Sequence, residues 1–341
     1  LLAHPTAFGF RTLDMLYPAD GEVVALQVYD FNGDGRADVV QLHRAAGEMS
    51  VRLARADGSL SDPVFYDMGT MPSDVRSVDV NNDGILDILA VDLGGFVVVR
   101  LGNGDGTFGP QIRTSLRQYA NGGWSGGQLF SLVAADFDGD GNVDIAAGYM
   151  DCRLGLFRGN GDGTFEHTHT HVLGYETHGM AAADFDGDGD IDLVATPWDG
   201  SLIIVNNQGD LLTTSYLDRT VLTNNQGNYG AWTVLLTDYN HDGDPDLLVD
   251  GSLGYSLYLG APGLDFILTT NILPRTPAPP PTPGAPPPVN QPAVSPVVGD
   301  FNGDGIQDVI AACVGKNCVS VSLGKPGGGF EEPFYISVPS S

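Results

Sequence analysis

The sequence predicts an all-β protein of the β-propeller class, built of four-stranded antiparallel blades, and three observations carry that prediction. One acidic segment recurs six times along 341 residues. Each copy runs straight into an apolar stretch, as in "DFDGDGDIDLVAT" (184–196). Helix-period amphipathic stretches are nearly absent, whereas apolar runs of four to eight residues recur throughout.

The six copies are "DFNGDGRADVV" (30–40), "DVNNDGILDIL" (79–89), "DFDGDGNVDIA" (136–146), "DFDGDGDIDLV" (184–194), "DYNHDGDPDLL" (238–248) and "DFNGDGIQDVI" (300–310). A Gly-rich turn follows, as in "RLGNGDGTFGP" (100–110), "FRGNGDGTFEH" (157–167) and "SLGKPGGGFEE" (322–332). One unit reads as four strands. A short strand enters the acidic motif ("VRSVDV", 75–80) and a wholly apolar one leaves it ("ILDILAVDL", 85–93). A third ends at the Gly-rich turn ("GFVVVRLG", 95–102), and a fourth follows ("TFGPQIRTSL", 107–116). Fully apolar strands imply burial on both faces, which a lone four-stranded sheet cannot supply. Sheets stacked radially can, and a period of about 50 residues suits propeller blades.

The whole chain, 1–341, reads as a single propeller domain. Residues 1–20 resemble the second half of another unit, with Phe8 in the place of Phe108 and Phe165, so 1–29 is a partial blade that closes the ring. That count favours seven blades, with six as the alternative. Half of the 22 prolines lie in 274–296, an extended polyproline stretch. A complete unit follows it, which makes it a surface loop within the ring in preference to a linker.

Each acidic loop lies between the first and second strands of its unit. Oxygen-bearing side chains stand at positions 1, 3, 5 and 9, with Gly at position 6. Alternate residues of a tight loop point toward one centre, and Gly permits the turn that brings them round. Carboxylate and amide oxygens without His or Cys select a hard cation, and a flexible loop suits Ca²⁺ better than octahedral Mg²⁺. The expected ligands are Asp30, Asn32, Asp34, Asp38 and the Arg36 carbonyl; Asp79, Asn81, Asp83, Asp87 and the Ile85 carbonyl; and Asp136, Asp138, Asp140, Asp144 and the Asn142 carbonyl. The other three sets are Asp184, Asp186, Asp188, Asp192 and Asp190; Asp238, Asn240, Asp242, Asp246 and Asp244; and Asp300, Asn302, Asp304, Asp308 and the Ile306 carbonyl. About six structural Ca²⁺ are expected. The loop opens like an EF-hand, but no Glu stands at position 12 and a strand follows in place of a helix.

With its D-x-[DN]-x-D-G-x-x-D motif in six copies, the chain resembles the FG-GAP/VCBS-repeat propellers, a group that includes integrin α-chain heads and certain lectins. That resemblance implies a propeller outside the cell with one calcium ion in each motif loop. Integrin-type repeats place Gly-Ala-Pro after the strand leaving the motif; here "ATP" (195–197), "AGY" (147–149) and "AAC" (311–313) are the nearest counterparts. The bacterial VCBS pattern therefore fits better.

Composition excludes several classes. With 15 Lys+Arg against 43 Asp+Glu, the net charge of −28 argues against nucleic acid and anionic membrane surfaces. No apolar run of eighteen residues exists, so membrane insertion by a helix is not expected. No G-x-S-x-G, H-E-x-x-H or phosphate-cradling motif is present, and the chain reads as a non-enzyme. Cys313 and Cys318 flank "VGKN" in a hairpin register that suits a cross-strand disulfide. Cys152 reads as a small buried hydrophobe.

The face opposite the acidic loops collects the unusual residues: Trp124, Tyr149, Asp151, Trp198, Asp199, Tyr229 and Trp232. Aromatic platforms beside short amides and carboxylates suit sugar rings, and equally a protein interface. The alternative for each aromatic is a plug between blades. "HTHTH" (167–171) puts His167, His169 and His171 on one strand face, either as a transition-metal site or as an exposed outer edge. The expected function is a secreted or cell-surface binding module, first for a glycan. Adhesion to an extracellular protein, or self-assembly as a homo-oligomer, comes second, and polysaccharide cleavage third.

Overall fold

The structure is a computed structural model. It describes residues 23–116, 129–174, 176–197, 199, 201–209, 211–212, 218–222, 233–251, 254–261, 265–268, 273–274, 297–312, 318–325 and 329–337. Its contacts divide the chain into two compact units, one built on Asp20–Thr233 and one on Val234–Ser341.

In the first unit, blade 1 comprises β1 (Val23–Tyr29), β2 (Asp38–His43), β3 (Glu48–Arg52) and β4 (Val64–Asp67). Blade 2 comprises β5 (Pro72–Val78), β6 (Asp87–Asp92), β7 (Phe96–Gly102) and β8 (Phe108–Ser115). Blade 3 comprises β9 (Leu129–Ala135), β10 (Asp144–Tyr149), β11 (Arg153–Gly159) and β12 (Phe165–Val172). Blade 4 comprises β13 (Thr177–Ala183), β14 (Asp192–Pro197), β15 (Leu202–Asn206) and β16 (Asp218–Leu222). In the second unit, blade 5 comprises β17 (Val234–Thr237), β18 (Asp246–Gly251), β19 (Gly254–Ala261) and β20 (Asp265–Leu268), with β21 (Leu273–Pro274) also paired to β19. Blade 6 comprises β22 (Val297–Gly299), β23 (Asp308–Ala312), β24 (Cys318–Ser322) and β25 (Phe334–Ser337).

Every blade is an antiparallel meander in chain order. Among the described residues the fold is thus an all-β propeller type with six four-stranded blades, not the seven that the sequence favoured. Each acidic motif already owns four consecutive strands, so no blade needs a strand from outside its own repeat. Residues 23–29, assigned to a partial blade from the sequence, are the first strand of blade 1. Residues 1–22 and the proline-rich stretch after Pro274 lie outside the described residues.

The apolar strands are buried on both sides because the core lies between blades. In β6 all six residues are buried: Ile88 and Ala90 pack toward blade 1, Leu89 and Val91 toward blade 3. Leu154 and Leu156 of blade 3 meet Met180, Leu193, Ile203 and Val205 of blade 4, and Leu248 and Leu257 of blade 5 meet Val309 and Ala311 of blade 6. Within the first unit β1, β5, β9 and β13 lie side by side. Ser73 Oγ donates to the Leu129 carbonyl at 2.8 Å, and the Leu132 amide donates to Asp74 Oδ2 at 3.0 Å.

In blades 2 and 6 the Gly-rich turn docks on the acidic loop of the blade before it. Phe108 stands edge-on to Phe31 with ring centroids 5.9 Å apart, while the Gly106 amide donates to the Phe31 carbonyl at 3.2 Å. Gly106 has φ +81, and a Cβ there would lie 2.5 Å from Leu53 Cδ2. In the second unit Phe330 packs on Tyr239 with centroids 5.1 Å apart.

Candidate metal centres

The register of the first two strands closes each acidic loop. Position 9 opens the second strand opposite the last residue of the first: Tyr29 faces Asp38, Val78 faces Asp87, Ala135 faces Asp144, Ala183 faces Asp192, Thr237 faces Asp246 and Gly299 faces Asp308. The intervening eight residues turn back on their own carboxylates. Position-1 Oδ2 accepts the position-6 amide at 2.7–3.2 Å in all six loops. Position-3 Oδ1 accepts the position-5 amide at 2.8–3.3 Å. Position-5 Oδ1 accepts the position-7 amide at 2.8–3.0 Å. This geometry needs a left-handed residue at position 6, where the six glycines have φ between +83 and +99.

Position 9 does something the sequence reading did not anticipate. Asp38, Asp87, Asp144, Asp192, Asp246 and Asp308 are all 0% exposed. In every loop Oδ2 accepts the position-2 amide at 2.6–3.0 Å. Oδ1 accepts an amide at or just past the end of the third strand at 2.7–2.9 Å, from Ala54, Gly102, Gly159, Asn207, Gly260 or Gly324. One carboxylate thus staples the acidic loop to the Gly-rich turn of its own blade. A signal for this exists in the sequence: the acceptor and the second donor are always 14–16 residues apart.

Burial and like charge act against these carboxylates. Burial pushes Asp144 and Asp192 up to about 6 despite the two amides on each, and the neighbouring position-3 and position-5 aspartates push the same way. Asp87, Asp246 and Asp308 are raised for the same first reason. The exposed position-1 carboxylates Asp30 and Asp300 are lowered, chiefly by the Gly35 and Gly305 amides. Charge is therefore tolerated at the loop mouth and resisted at its floor.

The donor set fits a hard dication. Carboxylate oxygens of Asp136, Asp138 and Asp144 lie within 4.8 Å of one another, as do those of Asp184, Asp186 and Asp188. In the 238 loop Asp238 Oδ1 is buried with no hydrogen-bond partner. Two loops have an arginine on one carboxylate: Arg158 of β11 donates from Nε to Asp138 Oδ2 at 2.7 Å, and the Arg36 guanidinium pairs with Asp34 within its own loop. In the 184 loop the corresponding contact is an amide, Asn206 Nδ2 to Asp186 Oδ2 at 3.1 Å.

The face assigned to ligand fares differently. Trp124, Trp198, Tyr229 and Trp232 lie outside the described residues. Tyr149 is 1% exposed and its hydroxyl donates to the Leu116 carbonyl, so its ring fills the core between blades 2 and 3 and offers no platform. Asp151 pairs with Arg153 at 2.6 Å, and Asp199 Oδ1 accepts the Ser201 amide and hydroxyl at 3.0 and 2.7 Å. His169 Nδ1 donates to the Leu212 carbonyl at 2.9 Å and its ring stacks on His171. His167, His169 and His171 form no three-ligand cluster; the two such clusters among the described residues are the aspartate sets above. Cys152 is half-buried and free, in a left-handed turn with φ +69. Cys313, and with it the Cys313–Cys318 pairing, lies outside the described residues.

The model of the FG-GAP-like repeat family matches residues 30–90, 79–147, 136–195 and 184–249. Each match runs from one acidic loop into the next. Among solved structures the chain is similar to an Agrocybe aegerita lectin whose structure addresses recognition of non-reducing terminal N-acetylglucosamine. The identity is 21% over 92% of this chain and 80% of that one, with a TM-score of 0.62. A Lactobacillus plantarum protein matches at 10% identity over 93% and 85% of the two chains, with a TM-score of 0.62. BBS1N, solved in complex with ARL6DN, matches at 10% identity over 93% and 82%, with a TM-score of 0.59. At these identities the likeness shows a shared fold. None of the curated proteins matches this chain in sequence.

Proposed function

Because the chain belongs to the FG-GAP-like repeat family, we propose that it is an extracellular, calcium-stabilised propeller that works as a binding module, with a glycan as its first candidate ligand. The observation that carries the calcium reading is the floor of the loops. Six fully buried carboxylates close clusters of like charge, and those of Asp144 and Asp192 are raised to about 6. Bound Ca²⁺ supplies positive charge at that point and requires the carboxylates to be ionised. Positions 1, 3 and 5 would supply side-chain oxygens to it, pre-set by hydrogen bonds from backbone amides. Position 9 ties the loop to the blade, so occupancy and blade integrity are linked. Nothing distinguishes one loop as catalytic, which supports a structural role for the ion.

The glycan reading rests on the lectin of the same fold and on the sequence alone for Trp124, Trp198, Tyr229 and Trp232, aromatics set among amide and carboxylate residues. Capture of a protein partner is the second reading, favoured by BBS1N, which shares the fold and was solved in complex with ARL6DN. A metal count per chain, with thermal melting in EDTA and in millimolar Ca²⁺, tests the first half of the proposal. Each site that binds only the folded state adds about 2.7 kcal/mol at a hundredfold excess over Kd. About six ions and a large shift are expected; no bound calcium and no shift would refute it. A glycan array read for binding and for released product separates lectin, enzyme and protein-binding readings.

A further inference from the structure

Position 4 of the acidic loop divides the six copies into two kinds. Gly33, Gly139, Gly187 and Gly303 occupy it with φ from +71 to +78. Asn82 and His241 occupy it in the other two loops with φ +59, a conformation that side chains other than Gly rarely adopt. Both side chains reach the next blade. Asn82 Nδ2 donates to the Gly141 carbonyl at 3.0 Å, and His241 Nε2 donates to the Gly305 carbonyl at 2.9 Å. Both acceptors are position-6 glycines of the following acidic loop.

That carbonyl sits one peptide before the main-chain oxygen expected to bind the ion. The N–H of the same peptide, on Asn142 or Ile306, donates to the position-5 carboxylate, Asp140 or Asp304, at 2.8 Å. In the 136 and 300 loops this peptide is therefore held on both edges, by its own aspartate and by the blade before it. Where position 4 is glycine, no side chain exists to make the bridge.

We propose that Asn82 and His241 are positioning residues that couple neighbouring cation loops, 79 with 136 and 238 with 300, while the 30 and 184 loops load on their own. The inference rests on the calcium reading above. Ordering of the 136 loop by an ion fixes the Gly141 carbonyl, which fixes Asn82 and so the turn of the 79 loop. By linkage the effect runs equally in reverse. One neutral hydrogen bond corresponds to a coupling of about fivefold in affinity, the lower end of ordinary coupling between sites.

The test is hydrogen–deuterium exchange of the full chain across a calcium titration, read on the six loop segments separately. Asn82→Gly gives loop 79 the residue that four other loops already use, so the backbone conformation is kept. The expected result is a rise of about fivefold in the calcium midpoint of the 136 loop, with the 30 and 184 loops unmoved. His241→Gly should do the same to the 300 loop, and His241→Asn should restore it. Unchanged midpoints in the 136 and 300 loops would overturn the coupling. Exchange insensitive to calcium in every loop would instead overturn the calcium reading, and the coupling with it. If Asn82→Gly proves unstable, Asp140→Ala tests the reverse direction: it should weaken the 79 loop and spare the 184 loop.

Discussion

Without calcium, the protein should become less stable as pH rises from about 4 to about 6, the reverse of ordinary acid behaviour. Asp144 and Asp192 have folded values of about 6 against an ordinary value of 3.8, so the folded state holds more protons than the unfolded state between those limits. Stability is then greatest below 3.8 and is lost as pH climbs through 6. Both side chains are 0% exposed, so solvent screening is small. Each rise from 3.8 to about 6 corresponds to at most about 3 kcal/mol, less where water at the loop mouth screens the charge. Carboxylates with lowered values, such as Asp30, Asp57 and Asp300, act in a different window: their contribution is present above 3.8 and fades below it. His167 and His178, lowered by burial, pull the other way below 6.5. Asp74, Asp87, Asp246 and Asp308 are raised like Asp144 and Asp192 and outnumber the two histidines, so a calcium-free melting profile should peak near pH 4. Calorimetry from pH 3.5 to 7.5 in calcium-depleted buffer checks this. Asp144→Asn and Asp192→Asn should each remove part of the decline, and saturating calcium should turn the upper limb into a rise. A calcium-free melting temperature that climbs steadily from pH 4 to 6.5, in wild type and variants alike, would refute the reasoning.

The other predictions separate the roles within a blade. In millimolar calcium, Asp188→Ala and Asp192→Ala both impair the same site, but Asp192→Ala also strands the Phe185 and Asn207 amides. Its loss should be larger by about 2–6 kcal/mol, at about 1–3 per orphaned donor; equal losses in denaturant melts would contradict the staple. Gly159→Ala places a Cβ 2.0 Å from the Val143 carbonyl, a backbone atom that cannot move aside cheaply. Destabilisation of about 1–3 kcal/mol or more is expected from equilibrium unfolding. Tyr149→Phe leaves the Leu116 carbonyl without its donor and should cost about 1–3 kcal/mol in the same assay, while glycan-array binding is unaffected.

The repeat made the blades legible. Six acidic motifs at regular spacing, each followed by a strand with no polar face, require sheets buried on both sides, and β6 and β10 meet that requirement with every residue buried. The number of blades was harder, because a Phe in residues 1–20 imitates Phe108 and Phe165 while strand pairing, which decides ownership, leaves no local trace. The ligand set was legible from its phase, positions 1, 3, 5 and 9. The division of labour inside it was not. The Asp at position 9 is written like the rest, yet it alone is fully buried, because it opens a strand that has neighbours on both faces. Tyr149 misleads for a related reason: it ends β10 beside a turn, where exposure is expected, but its ring turns inward between two blades.

On the proposed reading, stability and recognition belong to separate ends of a blade, and this decides how experiments on one bear on the other. The staple from position 9 joins the acidic loop to the turn between the third and fourth strands, so loss of a cation acts on that end. The turn between the second and third strands is held by different means. In blade 3 Tyr149 is anchored to Leu116, the Asp151 carboxylate pairs with Arg153, and the Arg153 guanidinium lies 5.4 Å from the Tyr149 ring centroid. In blade 2 buried Asp92 accepts the Thr70 and Phe96 amides at 3.2 and 3.0 Å and pairs with Arg113 at 2.9 Å. Neither network includes a residue of an acidic loop. A substitution such as Asp188→Ala should therefore lower the melting temperature while leaving ligand affinity unchanged wherever the blade remains folded. Loss of binding in parallel with calcium, at temperatures well below the melt, would mean that the ion also shapes the far face.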